Sequence, residues 1–265
     1  MATSIAEKPW TDEPLALIPT PVFESKMHNL FTNGASHMCM VHNSLFRGYN
    51  SIYQQAPYIA DADKLAFIGY CLTWYKFLKT HADNEDISLF PKTEELLKDN
   101  TIFEESHKEH SSFKPGLAEF HDYLTSLKSP SEFSGSKLLE IMATFQEPLD
   151  KHMRSEVATI AALSSHPGTP KEGSKEEKAA QQAFDTREGN NLIMSGMTDV
   201  LPFFLFNYDS GYEGGIWADW PPIPGLVRWT IMNVAQILHP WWKFASCDAQ
   251  RQRRPLYAVP GPGNI

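Results

Sequence analysis

Between Asn33 and Leu163 apolar residues recur at alternating spacings of three and four, the period of helices that bury one face. The pattern divides into four long stretches. The first runs from about Asn33 to Gln55 and ends before Pro57, and the second from about Ala60 to Asp86, ahead of an apolar turn at Leu89-Phe90-Pro91. The third covers roughly Lys92 to Leu127 with a break near Asn100, and the fourth runs from about Ser131 to Leu163, stopping before His166-Pro167-Gly168. Pro115 and Pro148 fall inside the last two stretches, where the missing N–H predicts a kink. Long helices joined by short connections predict an all-α antiparallel four-helix bundle over residues 30–165.

The flanks differ in character. Residues 1–29 carry Pro9, Pro14, Pro19 and Pro21 and read as an extended arm. Residues 166–185 are polar and charged and read as a linker. Residues 186–265 hold five of the seven tryptophans and many prolines, with a helix expected from Pro224 to Leu238, and form an irregular apolar extension that should pack against the bundle.

Within the bundle pattern, two seams end in ligating side chains. In the second stretch Phe67, Cys71, Trp74, Leu78, His81 and Glu85 form one inward stripe. The fourth repeats it with Leu138, Met142, Phe145, Leu149, His152, Glu156, Ile160 and Leu163. A single histidine on an apolar face is usually a hydrogen-bonded core residue, and one His-x-x-x-Glu pair is common. Two pairs in register with two core stripes are harder to explain that way, because a buried carboxylate costs several kcal/mol unless it is paired or binds a cation. Residues i and i+4 share a helix face, so each pair can reach one metal or one metal pair.

The first stretch adds His42, in register with Leu45, Phe46, Tyr49 and Tyr53, while His37 faces elsewhere. The third adds His110, on a seam with Phe113, Leu117, Phe120 and Leu124, with His107 and His121 on the flanks. Imidazole with carboxylate suits iron, manganese or zinc, and no thiolate set competes.

A net charge of −9 argues against a nucleic-acid partner. The basic cluster Arg251, Arg253 and Arg254 reads as solvated surface. Cys39, Cys71 and Cys247 are scattered and odd in number, which fits a reducing compartment. The beginning of the chain lacks an apolar signal core, and no stretch approaches the roughly 20 apolar residues of a membrane span, so a soluble cytoplasmic protein is expected. No nucleophile elbow, P-loop or dinucleotide fingerprint appears.

The motifs resemble the hemerythrin, or HHE cation-binding, family over about residues 30–165. The matching pieces are His42-Asn43 with Arg47-Gly48, His81 through Asp86 followed by Leu89-Phe90-Pro91, Glu109-His110 with Gly116-Leu117, and His152 through Glu156. The extension is similar to that of fungal members, with Asp209, Tyr212-Glu213-Gly214-Gly215, Trp241 through Phe244 and Cys247-Asp248. The resemblance implies two irons bridged by an oxygen atom and two carboxylates. It makes Glu85 and Glu156 the bridges and His42, His81, His110 and His152 the terminal ligands, with Mn or Zn as less favoured metals.

One position departs from the family. Four residues after His110 the family commonly has a second histidine, and here Lys114 stands there. A protonated lysine cannot ligate a cation, though a neutral or carbamylated one can. Three readings follow: an open position on one iron, a mononuclear site, or substitution by His107. An open position favours O2 activation by an oxidoreductase (an oxygenase) acting on a small organic substrate, with Phe203, Phe204, Trp217, Trp220 and Trp229 available to line it or to fill core. The alternative is a non-catalytic O2- or iron-binding carrier, sensor or store.

Overall fold

The computed structural model describes residues 10–182 and 196–261. Among these the chain is all-α, with no strand and one isolated antiparallel bridge between Cys247 and Arg253. A short α1 (Pro21–Ser25) precedes α2 (Leu30–Gln55), α3 (Lys64–Asn84), α4 (Phe90–Leu97), α5 (Glu104–Ser126) and α6 (Gly135–Ala162). Asn29 and Ser134 cap α2 and α6 by accepting the backbone N–H groups of Thr32 and Lys137. Helices continue through Pro115 and Pro148.

Two connections depart from the pattern. Leu89-Phe90-Pro91 is not a turn. A single π-helical turn, Glu85–Leu89, joins α3 to α4, and Pro91 stands at the start of α4. Proline lacks the N–H of a regular turn and crowds the carbonyl four residues back, which a widened turn relieves. The break expected near Asn100 is present, with Lys98 ending α4 at φ 55°. The polar stretch also contains helix, α7, over residues 175–182, while 183–185 lie outside the described residues.

An aromatic layer holds the bundle. Trp74 donates its indole N–H to the Leu45 carbonyl at 3.0 Å and meets the rings of Tyr49, Phe120 and Phe145 at 5.7, 5.3 and 6.1 Å, so each long helix contributes one ring. Tyr49, Trp74 and Phe145 stand one heptad from His42, His81 and His152, or about 10 Å along each helix.

The flanks are clamps. Asn43 and Asn50, a heptad apart on α2, bond the backbone of Ile18 and Leu15 in both directions, pinning the arm. α8 (Val200–Phe206) is buried throughout against α2 and α3, while α9 (Gly225–Leu238) buries Ile231, Met232 and Ala235. A Cβ at Gly48 would lie 2.7 Å from Phe203 and 2.8 Å from Trp74, so glycine there admits the extension. Gly48→Ala is therefore expected to cost about 1–3 kcal/mol by overpacking, read as a lowered urea midpoint with unchanged slope.

The arginine cluster is solvated surface only at Arg253. Arg251 is buried and donates to the carbonyls of Ala218 and Trp220, Arg254 donates to Ala245 and Trp242, and Arg253 pairs with Asp209 at 2.8 Å. Glu213 likewise takes the backbone N–H and hydroxyl of Thr20 and the Trp217 indole, joining extension to arm. Such partners lie far away in sequence, so the local charge pattern gave no sign of them.

Candidate metal centre

Four helices and the π turn bring six side chains together. His42 lies midway along α2, His81 in the last turn of α3, Glu85 at the start of the π turn, His110 on α5, and His152 with Glu156 on α6. All are buried except His81, which is nearly so. His42 Nε2 faces His81 Nε2 at 3.0 Å and Glu156 Oε2 at 3.3 Å. His110 Nε2 faces His152 Nε2 at 3.0 Å and Glu85 Oε2 at 3.3 Å. Glu85 Oε1 meets His81 Nε2 at 2.8 Å, and Glu156 Oε2 lies 3.7 Å from His152 Nε2.

The atoms fall into two groups able to hold a cation: His42, His81, Glu85 and Glu156, and Glu85, His110 and His152. Glu85 belongs to both. Among the described residues the four carboxylate oxygens of Glu85 and Glu156 receive no well-aligned hydrogen bond, and their nearest polar neighbours are the imidazole nitrogens. Buried carboxylates whose polar neighbours are imidazole nitrogens, which also face one another at 3.0 Å, are costly unless cations lie between them. The donor set therefore fits metal.

A second ring of groups aims the imidazoles. His42 Nδ1 donates to the Met153 carbonyl at 2.9 Å, which turns the Nε2 lone pair inward. His110 Nδ1 bonds Asp86 Oδ1 at 2.9 Å. Glu109 lies 3.5 Å from His152 Nδ1 and is fixed by the Ser155 hydroxyl at 2.6 Å and Lys151 at 3.2 Å. Carboxylates behind ligating histidines fix the ring and raise its basicity. Asp86→Ala is expected to weaken metal binding at the His110 side by roughly 10–100-fold, measured by competition with a chromophoric chelator.

Electrostatics favour the charged form of Glu85. Burial alone would raise the Glu85 carboxyl, but His81 and His110 hold it far below the usual carboxylate range. Burial opposes protonation of His81 and His110, yet their acidic neighbours, Glu85 foremost, raise both above 6.5. Burial lowers His152 to about 4.

All six expected ligating residues thus meet in one layer. Lys114 and His107 do not join it. Both are half exposed and turn to Asp86, with Lys114 Nζ 3.2 Å from Oδ2 and His107 Nδ1 2.9 Å from Oδ1. Both contact the carboxylate that bonds His110. His37 faces the extension, stacked on Trp220 at 5.0 Å. Of the extension aromatics, Phe203 and Phe204 are core and reach the site only through Phe77, 6.0 and 6.2 Å away, whose ring lies 6.5 Å from that of His81. Trp217 and Trp220 pack on His37, and Trp229 is exposed on α9. Asp86 and Glu109 stand in the motifs that resemble the family, but the sequence gives neither a role.

A four-helix bundle with two buried histidine–carboxylate groups sharing one carboxylate defines a cation-binding helical domain. Residues 33–163 match the model of the Hemerythrin HHE cation binding domain, and the chain belongs to that family through this domain. The chain is also similar to the dimeric xanthone biosynthesis cluster protein R11 of Cryptosporiopsis sp. (strain 8999), at 28% identity over 263 residues, covering 97% of this chain and 96% of that protein. No solved structure gives a significant match. Among the described residues no helix is long and apolar enough to cross a membrane.

Proposed function

We propose that the chain is a non-heme iron oxidoreductase that holds two irons and activates O2 to act on a small organic substrate. The observation carrying this reading is the shared carboxylate: Glu85 presents one oxygen to His81 and the other to His110, an arrangement suited to two adjacent cations. His42, His81, His110, His152, Glu85 and Glu156 would hold them. Bound iron supplies one-electron chemistry with O2 that no amino-acid side chain provides. Imidazole with carboxylate suits iron, manganese or zinc alike, and it is the O2 chemistry of this reading that selects iron.

The chain's own residues supply the surroundings. On one side of the metal layer the aromatic ring layer excludes water. On the other, a cavity of about 30 Å³ is lined by Met38, Leu89 and Ile160, each one turn beyond His42, Glu85 and Glu156. That volume is enough for a diatomic molecule or a water. Lys114 offers no ligand, leaving the His110–His152 side with fewer imidazoles than the family pattern. The dimeric xanthone biosynthesis cluster named for the relative, which aligns over nearly the whole chain, supports an organic substrate.

The small apolar cavity favours a second reading, reversible O2 binding without turnover. The two are separated by loading the full chain with ferrous iron and following iron content, the visible spectrum and O2 uptake in the presence of a reductant. Two irons per chain with sustained O2 consumption support the oxidoreductase. A stable oxygenated spectrum reversed by deoxygenation supports the carrier, and no bound iron overturns both.

A further inference from the structure

Beside the metal layer, the seam between α3 and α5 opens into a groove of about 330 Å³. Its origin is in the side-chain sizes. Ala82 and Ala118 face the seam where larger residues would close it, and the space reaches the lower end of the range for small-molecule pockets. One end is walled by Tyr75, held by stacking on His121 at 4.4 Å. The other is walled by Phe113, whose ring lies 5.7 Å from that of His110 and 5.5 Å from that of His152. Phe113 thus packs against both the groove and two candidate ligands.

The charge at the rim is distinctive in a chain of net charge −9. Lys79 and Lys114 both line the groove. Asp83 neutralises Lys79 directly. The carboxylate facing Lys114 is Asp86, and that group already serves His107 and His110. Lys114 is thus the less neutralised of the two cations, half exposed, at the position where the resemblance places a histidine ligand.

We propose that this groove binds a small planar aromatic anion, an arene carboxylate or phenolate, with its ring between Tyr75 and Phe113 and its charge at Lys114. The exchange of a histidine for Lys114 then removes an imidazole from the metal layer and places a cation on the substrate side. This deepens the oxidoreductase reading and rests on it for calling the bound molecule a substrate. Aromatic walls favour a flat ring over an aliphatic chain, and the ammonium selects an anion over a neutral analogue.

The probe is 2-naphthoate, with 2-naphthalenemethanol as its neutral counterpart, titrated into the full-length protein and followed by probe fluorescence and saturation-transfer NMR. Saturable naphthoate binding is expected, weakened roughly fivefold by Lys114→Met, the scale of one partly exposed charge pair. Ala118→Leu should abolish it by filling the groove, and the neutral probe should bind weakly and ignore Lys114→Met. Both substitutions lie at exposed positions, so circular dichroism should be unchanged. Absence of saturable binding to the folded protein, or binding indifferent to both substitutions, overturns the proposal. Iron content and O2 consumption are measured on the same samples. Their loss with naphthoate binding intact overturns the oxidoreductase reading alone, and their presence without naphthoate binding overturns the groove alone.

Discussion

Glu85→Ala will strip metal from both halves of the centre, leaving less than roughly a tenth of wild-type iron after purification. The expectation follows from connectivity. Glu85 is the one residue common to both groups of potential ligands, with one oxygen 2.8 Å from His81 and the other 3.3 Å from His110. Its loss removes an anionic donor from each group at once. His152→Ala touches one group only and should leave about half the metal, and Lys114→Met, which touches neither, should leave the content unchanged. Glu85→Gln keeps the shape and removes the charge, so it should lose metal nearly as completely while giving a wild-type helical spectrum. Elemental analysis with circular dichroism reads all four variants. Wild-type metal content in folded Glu85→Ala would overturn the ligand assignment.

That ranking was partly legible in the sequence. The stripes through Trp74, His81 and Glu85 and through Phe145, His152 and Glu156 are heptad patterns, and a heptad fixes which side chains share a buried face whatever the neighbouring helices are. His42 and His110 were readable for the same reason. The groups behind them were not. Asp86 holds His110 across a helix pair, and Glu109 approaches His152 in the same way; both contacts depend on how helices are rotated against each other. The π turn decides where Asp86 points, and it arises from Pro91, which the sequence pattern turned into a loop. Lys114 shows the same limit. Its mismatch with the family was visible, but its pairing with Asp86 and its place on a groove rim needed the neighbouring helix. The extension was least legible, because Glu213, Arg251 and Arg254 bond backbone groups of the arm or of other parts of the extension rather than periodic neighbours.

The metal-free and metal-loaded forms should respond to pH in opposite directions above about pH 6.5. In the metal-free chain His81 and His110 titrate above the usual 6.5, so between that value and their raised pKa the folded state binds more protons than the unfolded one. Their contribution to stability is complete below 6.5 and is lost as pH rises through the folded values, with a slope of at most about 1.4 kcal/mol per pH unit for each proton. His152, lowered to about 4, is neutral when folded but half protonated at about 6.5 when unfolded, so it adds a small opposing slope that fades within about one pH unit, while Glu85 is ionised throughout. Metal binding reverses the sign, because it requires the imidazoles to be deprotonated and the proton is its competitor. The loaded protein should therefore gain stability over the same range and lose metal as the pH falls below it. At neutral pH, removing metal with a chelator should lower the unfolding midpoint by roughly 10 °C, the shift expected when a ligand is present at about a thousand times its dissociation constant. Scanning calorimetry of both forms across the window reads the two slopes directly. Parallel slopes would mean that His81 and His110 are not displaced from their protons by metal, and would exclude them as ligands.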